Sequence, residues 1–187
     1  MAEQHAWERI GSETLLENSY FTVRSDKLRL PDGSVKDPYY VIERPDAAIV
    51  FPITDAGNVV LVRQYRPPLE IMELGLPAGL VEGGEDPESA ARRELLEETG
   101  FGGGEWEALG SLASSPSLKD NWAYLFLARG VKRTSSQDLD EYERLELVQV
   151  PLAELPALVY SGEIVSSSGV AASMLALDRL GTLRRNA

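Results

Sequence analysis

The chain has 187 residues, 43% apolar and 26% charged, enough to bury the core of one α+β domain with a modest extra element at an end. A formal net charge of −12 sets most of the surface against nucleic acid and anionic lipid, and the absence of cysteine excludes disulfides, zinc–thiolate sites and thiol nucleophiles together. With His5 the single histidine, neither a Ser-His-Asp site nor a multi-histidine metal site can be built, so chemistry falls to carboxylates, hydroxyls, Lys, Arg and metal ions.

In chain order, residues 7–44 read as strands and turns: Tyr20 to Arg24 and Lys27 to Leu30 are strand-like, Pro31-Asp32-Gly33 is a turn, and Tyr39 to Glu43 is a further strand. Ala47 to Thr54 and Val59 to Tyr65, joined by Asp55-Ala56-Gly57-Asn58, predict a hairpin of buried strands. A looser stretch at Pro67-Pro68 precedes Leu76 to Val81, which leads into a helix. Asp86 is a good N-cap, Pro87 suits the first helical position, Glu88 favours the positive end of the dipole, and Gly100 ends the helix. Strands follow at Trp106 to Leu112, Ala123 to Ala128 and Leu145 to Val150, then helices near Leu152 to Tyr160 and Val170 to Leu180. This alternation predicts an α/β/α sandwich rather than a bundle or barrel. The apolar runs are strand-length, far short of the roughly 20 residues of a membrane helix, and Met-Ala-Glu-Gln-His lacks the regions of a signal peptide. A cytoplasmic protein without membrane partners is the expectation.

On the predicted helix, Glu94, Glu97 and Glu98 share one face. Like charges at i, i+3 and i+4 cost about 0.2–0.5 kcal/mol per pair, so folding gives no reason to gather them. A divalent cation gives one, since hard ions recruit carboxylates. An ordinary solvated acidic face is the alternative on these residues alone.

The wider pattern from Gly79 through Glu85, Arg93, Glu94, Leu95, Glu97 and Glu98 to Gly100 and Phe101 resembles the Nudix box, G-x5-E-x7-R-E-U-x-E-E-x-G-U, with U bulky and apolar. Every defined position matches, and seven fixed residue types give a chance match on the order of 10⁻⁵ in a chain this long. The resemblance implies the Nudix α/β/α sandwich at 45–187, preceded by an additional N-terminal antiparallel sheet at 1–44. It implies Glu94 and Glu98 as principal metal ligands with Glu97 as a third, the Ala78 carbonyl as a further ligand, and Mg²⁺, or Mn²⁺ in its place, as cofactor. Arg93 would pair with Glu85, and Gly79, Gly83 and Gly84 would let backbone approach the metals.

Outside the box, three features resemble the ADP-ribose and nucleotide-sugar pyrophosphatase branch. Pro116 lies sixteen residues beyond Gly100, and Arg63-Gln64-Tyr65-Arg66 resembles a signature whose last Arg contacts substrate phosphate, here Arg66. Residues 1–44 resemble the sheet through which the branch forms homodimers, with Tyr20 and Tyr39 at stacking positions for the base. Gly75 and Ser117 to Asn121 depart from the branch pattern near the substrate pocket. The branch draws its general base from an acidic loop, here Ser136 to Glu146. Aligning it gives Glu143, with Glu141 in reserve.

The implied reaction is metal-dependent hydrolysis of the pyrophosphate bond of ADP-ribose to AMP and ribose 5-phosphate. Alternatives are GDP-mannose, NADH or FAD as substrate, a Nudix-fold module that senses a nucleotide without cutting it, and a dimer with a calcium-stabilised acidic helix. The last lacks any calcium-loop spacing. Residues 1–44 are too few to bury a core alone. Their deletion is therefore expected to give a monomer with little affinity for substrate, measured by sedimentation and steady-state kinetics; full activity in the truncated monomer would contradict it.

Overall fold

A computed structural model describes residues 6–183, so His5 lies outside the described residues. The chain divides into two compact units: one comprises the chain through Pro45 with Ala113–Trp122, the other Asp46–Leu112 with Ala123 onward. The boundary at 45 thus carries an addition, because the segment bearing Pro116 groups with the N-terminal sheet.

The first unit is a three-stranded antiparallel sheet in the order β1 (Glu8–Glu17), β2 (Thr22–Arg29), β3 (Val35–Glu43). Sequence reasoning missed β1 as a strand and broke β2 at Ser25-Asp26. The break does not occur because Asp26, 3% exposed, accepts hydrogen bonds from the Ser12 hydroxyl (2.6 Å) and Arg24 Nε (2.9 Å). Burial works against its ionised form, but these partners prevail and hold its pKa below the usual range. The Ala113–Trp122 segment is tied to β3 by Ile42 N–H donating to Leu118 O (2.8 Å) and by Arg44 N–H donating to Asp120 (3.3 Å).

In the second unit β4 (Ala47–Thr54) is central. It pairs in parallel with β10 (Ala123–Arg133) and antiparallel with β5 (Asn58–Arg66) and β7 (Ala78–Leu80). β6 (Ile71–Gly75) and β11 (Glu146–Pro151) flank β5, while β8 (Phe101–Gly102) and β9 (Glu105–Leu112) lie along β10. A strand buried on both faces reads as a continuous apolar run, as Ala47 to Ile53 does. Its pleat divides the interior in two. Ala48 and Val50, with Phe126 and Ala128, face Ala90, Ala91 and Leu95 of α1 (Pro87–Thr99). Ile49, Phe51 and Ile53, with Leu125 and Leu127, face Ala172, Ala176 and Leu177 of α3 (Ser167–Arg179).

Helices on both faces of a mixed sheet make the α/β/α sandwich. The predicted helix at Leu152 to Tyr160 is a 3₁₀ turn, Leu152–Glu154, followed by α2 (Leu155–Ser161). Among the described residues no helix is long and apolar enough to cross a membrane.

The caps of α1 take the predicted form. Asp86 accepts from Ser89 N–H, Pro87 opens the helix, and Gly100 adopts φ 73°, ψ 6° with its N–H on Leu96 O. Gly100 is constrained a second way, because a Cβ there would lie 2.3 Å from Ser135 O. Gly57 has a similar φ of 78° but open space around it. Gly57→Ala should cost about 1–2 kcal/mol, the left-handed penalty alone, and Gly100→Ala clearly more, as read from urea midpoints. Equal shifts at the two sites would mean that the Ser135 backbone moves aside freely.

Candidate active site

The site grows from the last two turns of α1. Placed one turn apart on the face turned toward β7, Glu94 and Glu98 reach the backbone of residues 78 and 79. Glu98 Oε2 accepts from Ala78 N–H at 3.0 Å, so the observed contact of Ala78 is through its amide. Gly79 has yielded its side-chain volume: a Cβ there would stand 2.0 Å from the Glu94 carboxylate. Gly83 and Gly84 have no atom near the Cβ position, so their place is in the turn, and only Gly84, at φ 84°, needs to be glycine for its backbone.

Arg93 holds this cluster to its loop. Its Nε and Nη2 bond both oxygens of Glu85 at 3.2 and 3.1 Å, and Nη2 also donates to Leu80 O at 2.9 Å. Nη1 bridges Glu94 at 2.7 Å and Glu97 at 3.1 Å, contacts beyond the predicted Glu85 pairing. A guanidinium fork suits such multiple bonding. The Arg93 bond holds the Glu85 carboxyl below its ordinary pKa. Burial pushes Glu94 upward against the pull of Arg93, with the charges of Glu97 and Glu143 adding to the rise.

Glu98 is the outlier. It is 7% exposed, and no ion pair reaches it among the described residues. Burial drives its pKa up to about 8; the Ala78 amide opposes this, the Glu94 and Glu143 charges reinforce it, and Arg66 weakly opposes it.

The acidic loop is brought to the same end of α1. Asp138 N–H donates to Glu97 O at 2.9 Å, and Gln137 Nε2 donates to Glu98 O at 2.7 Å. Thr134 and Ser135 N–H both donate to Gly100 O, at 2.8 and 3.1 Å. Orphan carbonyls at the helix C-terminus are thus satisfied by this loop. Glu143 is half-buried, and its charge is felt by Glu94 and Glu98. By contrast Glu141 is exposed, and Glu146 belongs to β11, where it lies 3.7 Å from Arg63. Gln137 had no sequence signal, since a single amide in an acidic loop reads as solvent-facing.

Arg66, at the end of β5, pairs through Nε with Glu73 at 2.6 Å. The other named residues sit in the first unit. Tyr20 is 71% exposed in the turn before β2, not in a strand, with Asn18 Oδ1 accepting its N–H. Tyr39 donates its hydroxyl to Ser117 O at 2.8 Å and meets the Trp7 ring edge-on at 6.2 Å. Pro116 is exposed.

Comparison with known proteins agrees with this geometry. Residues 43–165 match the NUDIX domain and residues 7–42 the Nucleoside diphosphate sugar hydrolase N-terminal domain. The methanol dehydrogenase activator of Bacillus methanolicus is 35% identical over 164 residues, covering 87% of this chain and 88% of that protein. The ADP-ribose pyrophosphatase of Mycobacterium tuberculosis is 35% identical over 173 residues, covering 91% and 83%. A crystal structure of an ADP compounds hydrolase superposes with TM-score 0.82 at 31% identity, covering 95% of this chain and 97% of the other. The chain belongs to the NUDIX hydrolase family. Within that family its N-terminal sheet is the domain carried by nucleoside diphosphate sugar hydrolases.

Members of the family generally use a divalent metal, and the residues present fit one: a hard-oxygen donor set, a glycine cleared for the Glu94 carboxylate, and a buried Glu98 carboxylate without a counter-charge. With Arg93 bridging Glu94 and Glu97, no three carboxylates among the described residues converge on one point.

The raised pKa of Glu98 has a stability consequence in metal-free buffer. The folded state keeps this proton to about pH 8, whereas the unfolded chain loses it near pH 4.5. Folded protein therefore binds more protons in that window, and stability falls as pH rises through it. Glu98→Gln should abolish this slope, so that the variant gains on the parent between about pH 4.5 and 8, as followed by urea unfolding without metal. Parallel pH profiles would show that Glu98 titrates normally.

Proposed function

We propose that the protein hydrolyses the pyrophosphate bond of ADP-ribose, or of a closely related nucleoside diphosphate sugar, with Mg²⁺ as cofactor and Mn²⁺ as substitute. The observation that carries this is the buried, uncompensated Glu98 beside Glu94 and Glu143. Glu94 and Glu98 lie one turn apart on α1, Glu94 bonded to Arg93 and Glu98 in no ion pair among the described residues, and cations held there would be shared with a diphosphate. ADP-ribose is favoured because the Mycobacterium tuberculosis relative, 35% identical over 91% of this chain, is an ADP-ribose pyrophosphatase.

In this mechanism Glu94 and Glu98, with Glu97 as a third ligand and the Ala78 carbonyl as a further one, would hold the metal. Bound there, a divalent cation would neutralise charge on the diphosphate and make the attacking water more acidic. Arg66 binds a phosphate oxygen and keeps the diphosphate against the carboxylates. Glu143 takes a proton from the water, whose oxygen forms a bond to one phosphorus as the bridging P–O bond breaks. The bridging oxygen leaves with the second phosphate, giving AMP and ribose 5-phosphate. Arg93 keeps the ligand helix and the Glu85 loop in register throughout. Tyr20 and Tyr39 are proposed to contact the base and Pro116 the substrate loop. The expected homodimer and cytoplasmic location belong to the same proposal.

ADP-ribose with Mg²⁺, assayed beside GDP-mannose, NADH and FAD, should yield AMP at the highest kcat/KM; binding without product would favour the sensing module. Glu143→Gln should lower kcat by about 10²–10⁴-fold with KM little changed, the usual weight of a general base. Wild-type kcat in that variant and loss in Glu141→Gln would move the base to Glu141.

A further inference from the structure

Glu73 on β6 is among the most buried charged groups described, at 5% exposure, and the proposed chemistry leaves it without a part. Both its oxygens are engaged. Oε2 accepts from Arg66 Nε at 2.6 Å, and Oε1 accepts from the backbone N–H of Ser166, the N-cap of α3, at 3.0 Å. In the β5–β6 ladder Arg66 stands opposite Ile71 and Gln64 opposite Glu73, so the carboxylate reaches Arg66 diagonally across the hairpin.

Stability alone does not account for this pair. Burying a carboxylate is costly, and the half-exposed partner returns little through charge attraction. What the arrangement does supply is orientation. Arg66 lies next to the hairpin tip Pro67–Glu70, where an arginine on its own would sample many rotamers. Bonding at Nε fixes the guanidinium plane and leaves the two terminal amino groups for an anion, the geometry of bidentate phosphate recognition. Its charge is among those that act on Glu98. Glu73 in turn is held by a helix N-terminus, where a carboxylate is favoured.

We propose that Glu73 is a positioning residue for the diphosphate: by clamping Arg66 Nε against the start of α3, it presents the guanidinium to the substrate phosphate in one orientation. This rests on the proposed contact of Arg66 with substrate phosphate. That contact exists in both the bound and the transition state, so its loss acts mainly on KM.

The test uses the full chain at saturating Mg²⁺ with ADP-ribose. Glu73→Gln keeps the shape but cannot accept from both donors, and Glu73→Asp keeps the charge but is one methylene short. Each should raise KM about 10-fold or more, with kcat changing much less, the scale expected when a charged contact is misaligned. Arg66→Ala should raise KM at least as far, and Glu73→Gln should add almost nothing in that background. An equal KM rise from Glu73→Gln with and without Arg66 overturns the proposal, as does wild-type KM in both Glu73 variants or failure of both to fold. If Arg66→Ala itself retains wild-type KM, the phosphate contact is wrong and both ideas fall; if only Arg66→Ala raises KM, the contact stands and Glu73 has no positioning role.

Discussion

Glu98 lies out of water, has the backbone amide of Ala78 as its hydrogen-bond donor, and shares its surroundings with Glu94 and Glu143. A carboxylate so placed is unfavourable for folding unless it keeps its proton or meets a cation. Much around it follows from that constraint. The Ala78–Leu80 strand pairs with β4, which fixes the amide that Glu98 requires, and a side chain at residue 79 would displace the Glu94 carboxylate from its place. Arg93 lies one residue before Glu94 but directs its charge to Glu85, Glu94 and Glu97, and no ion pair reaches Glu98 among the described residues.

The acidic loop is held to the end of α1 by hydrogen bonds from its backbone and from the Gln137 side chain. Four carbonyls near the end of α1 need donors, and those of Glu97, Glu98 and Gly100 find them in residues 134–138. One set of hydrogen bonds therefore both caps the helix and holds the start of the loop that carries Glu143. Residues 134–138 are bonded to α1 in this way, while Asp140 to Arg144 bond chiefly to one another.

How much of this was legible depended on the range of the interaction. Asp86, Pro87 and Gly100 act within one turn of α1, and the sequence announced both ends of the helix. The uninterrupted apolar run at Ala47 to Ile53 marked the central strand for a similar reason. Asp26 misled, because a polar residue in a strand pattern reads as a break, and its compensation by Ser12 comes from a strand fourteen residues away. The edge of the sheet was equally opaque: β6 follows a Pro-Pro tip and begins with the exposed Ile71 and Met72, and only its pairing with β5 makes it a strand. At the site, the family spacing pointed to the carboxylates, and the Arg93–Glu97 pair is a local i,i+4 contact within α1, but the Gln137 tether and the Arg66–Glu73 pair are contacts between segments that no local pattern encodes.

The charge balance joins these features. A protein carrying −12 would be expected to repel a diphosphate, and bringing Glu94, Glu98 and Glu143 together sharpens that repulsion locally. In the proposed function the effect would reverse once cations enter, because the same carboxylates would then hold positive charge where phosphate oxygens would lie. Repulsion in the empty cluster and attraction in the loaded one are therefore a single property of the donor set. Arg66 differs in kind, since its cationic charge is permanent and its Nε is already bonded to Glu73. In the proposed mechanism the metal-dependent and metal-independent parts of phosphate recognition would thus rest on different elements, α1 with its loop for the first and the β5–β6 hairpin for the second, both inside the unit built around β4.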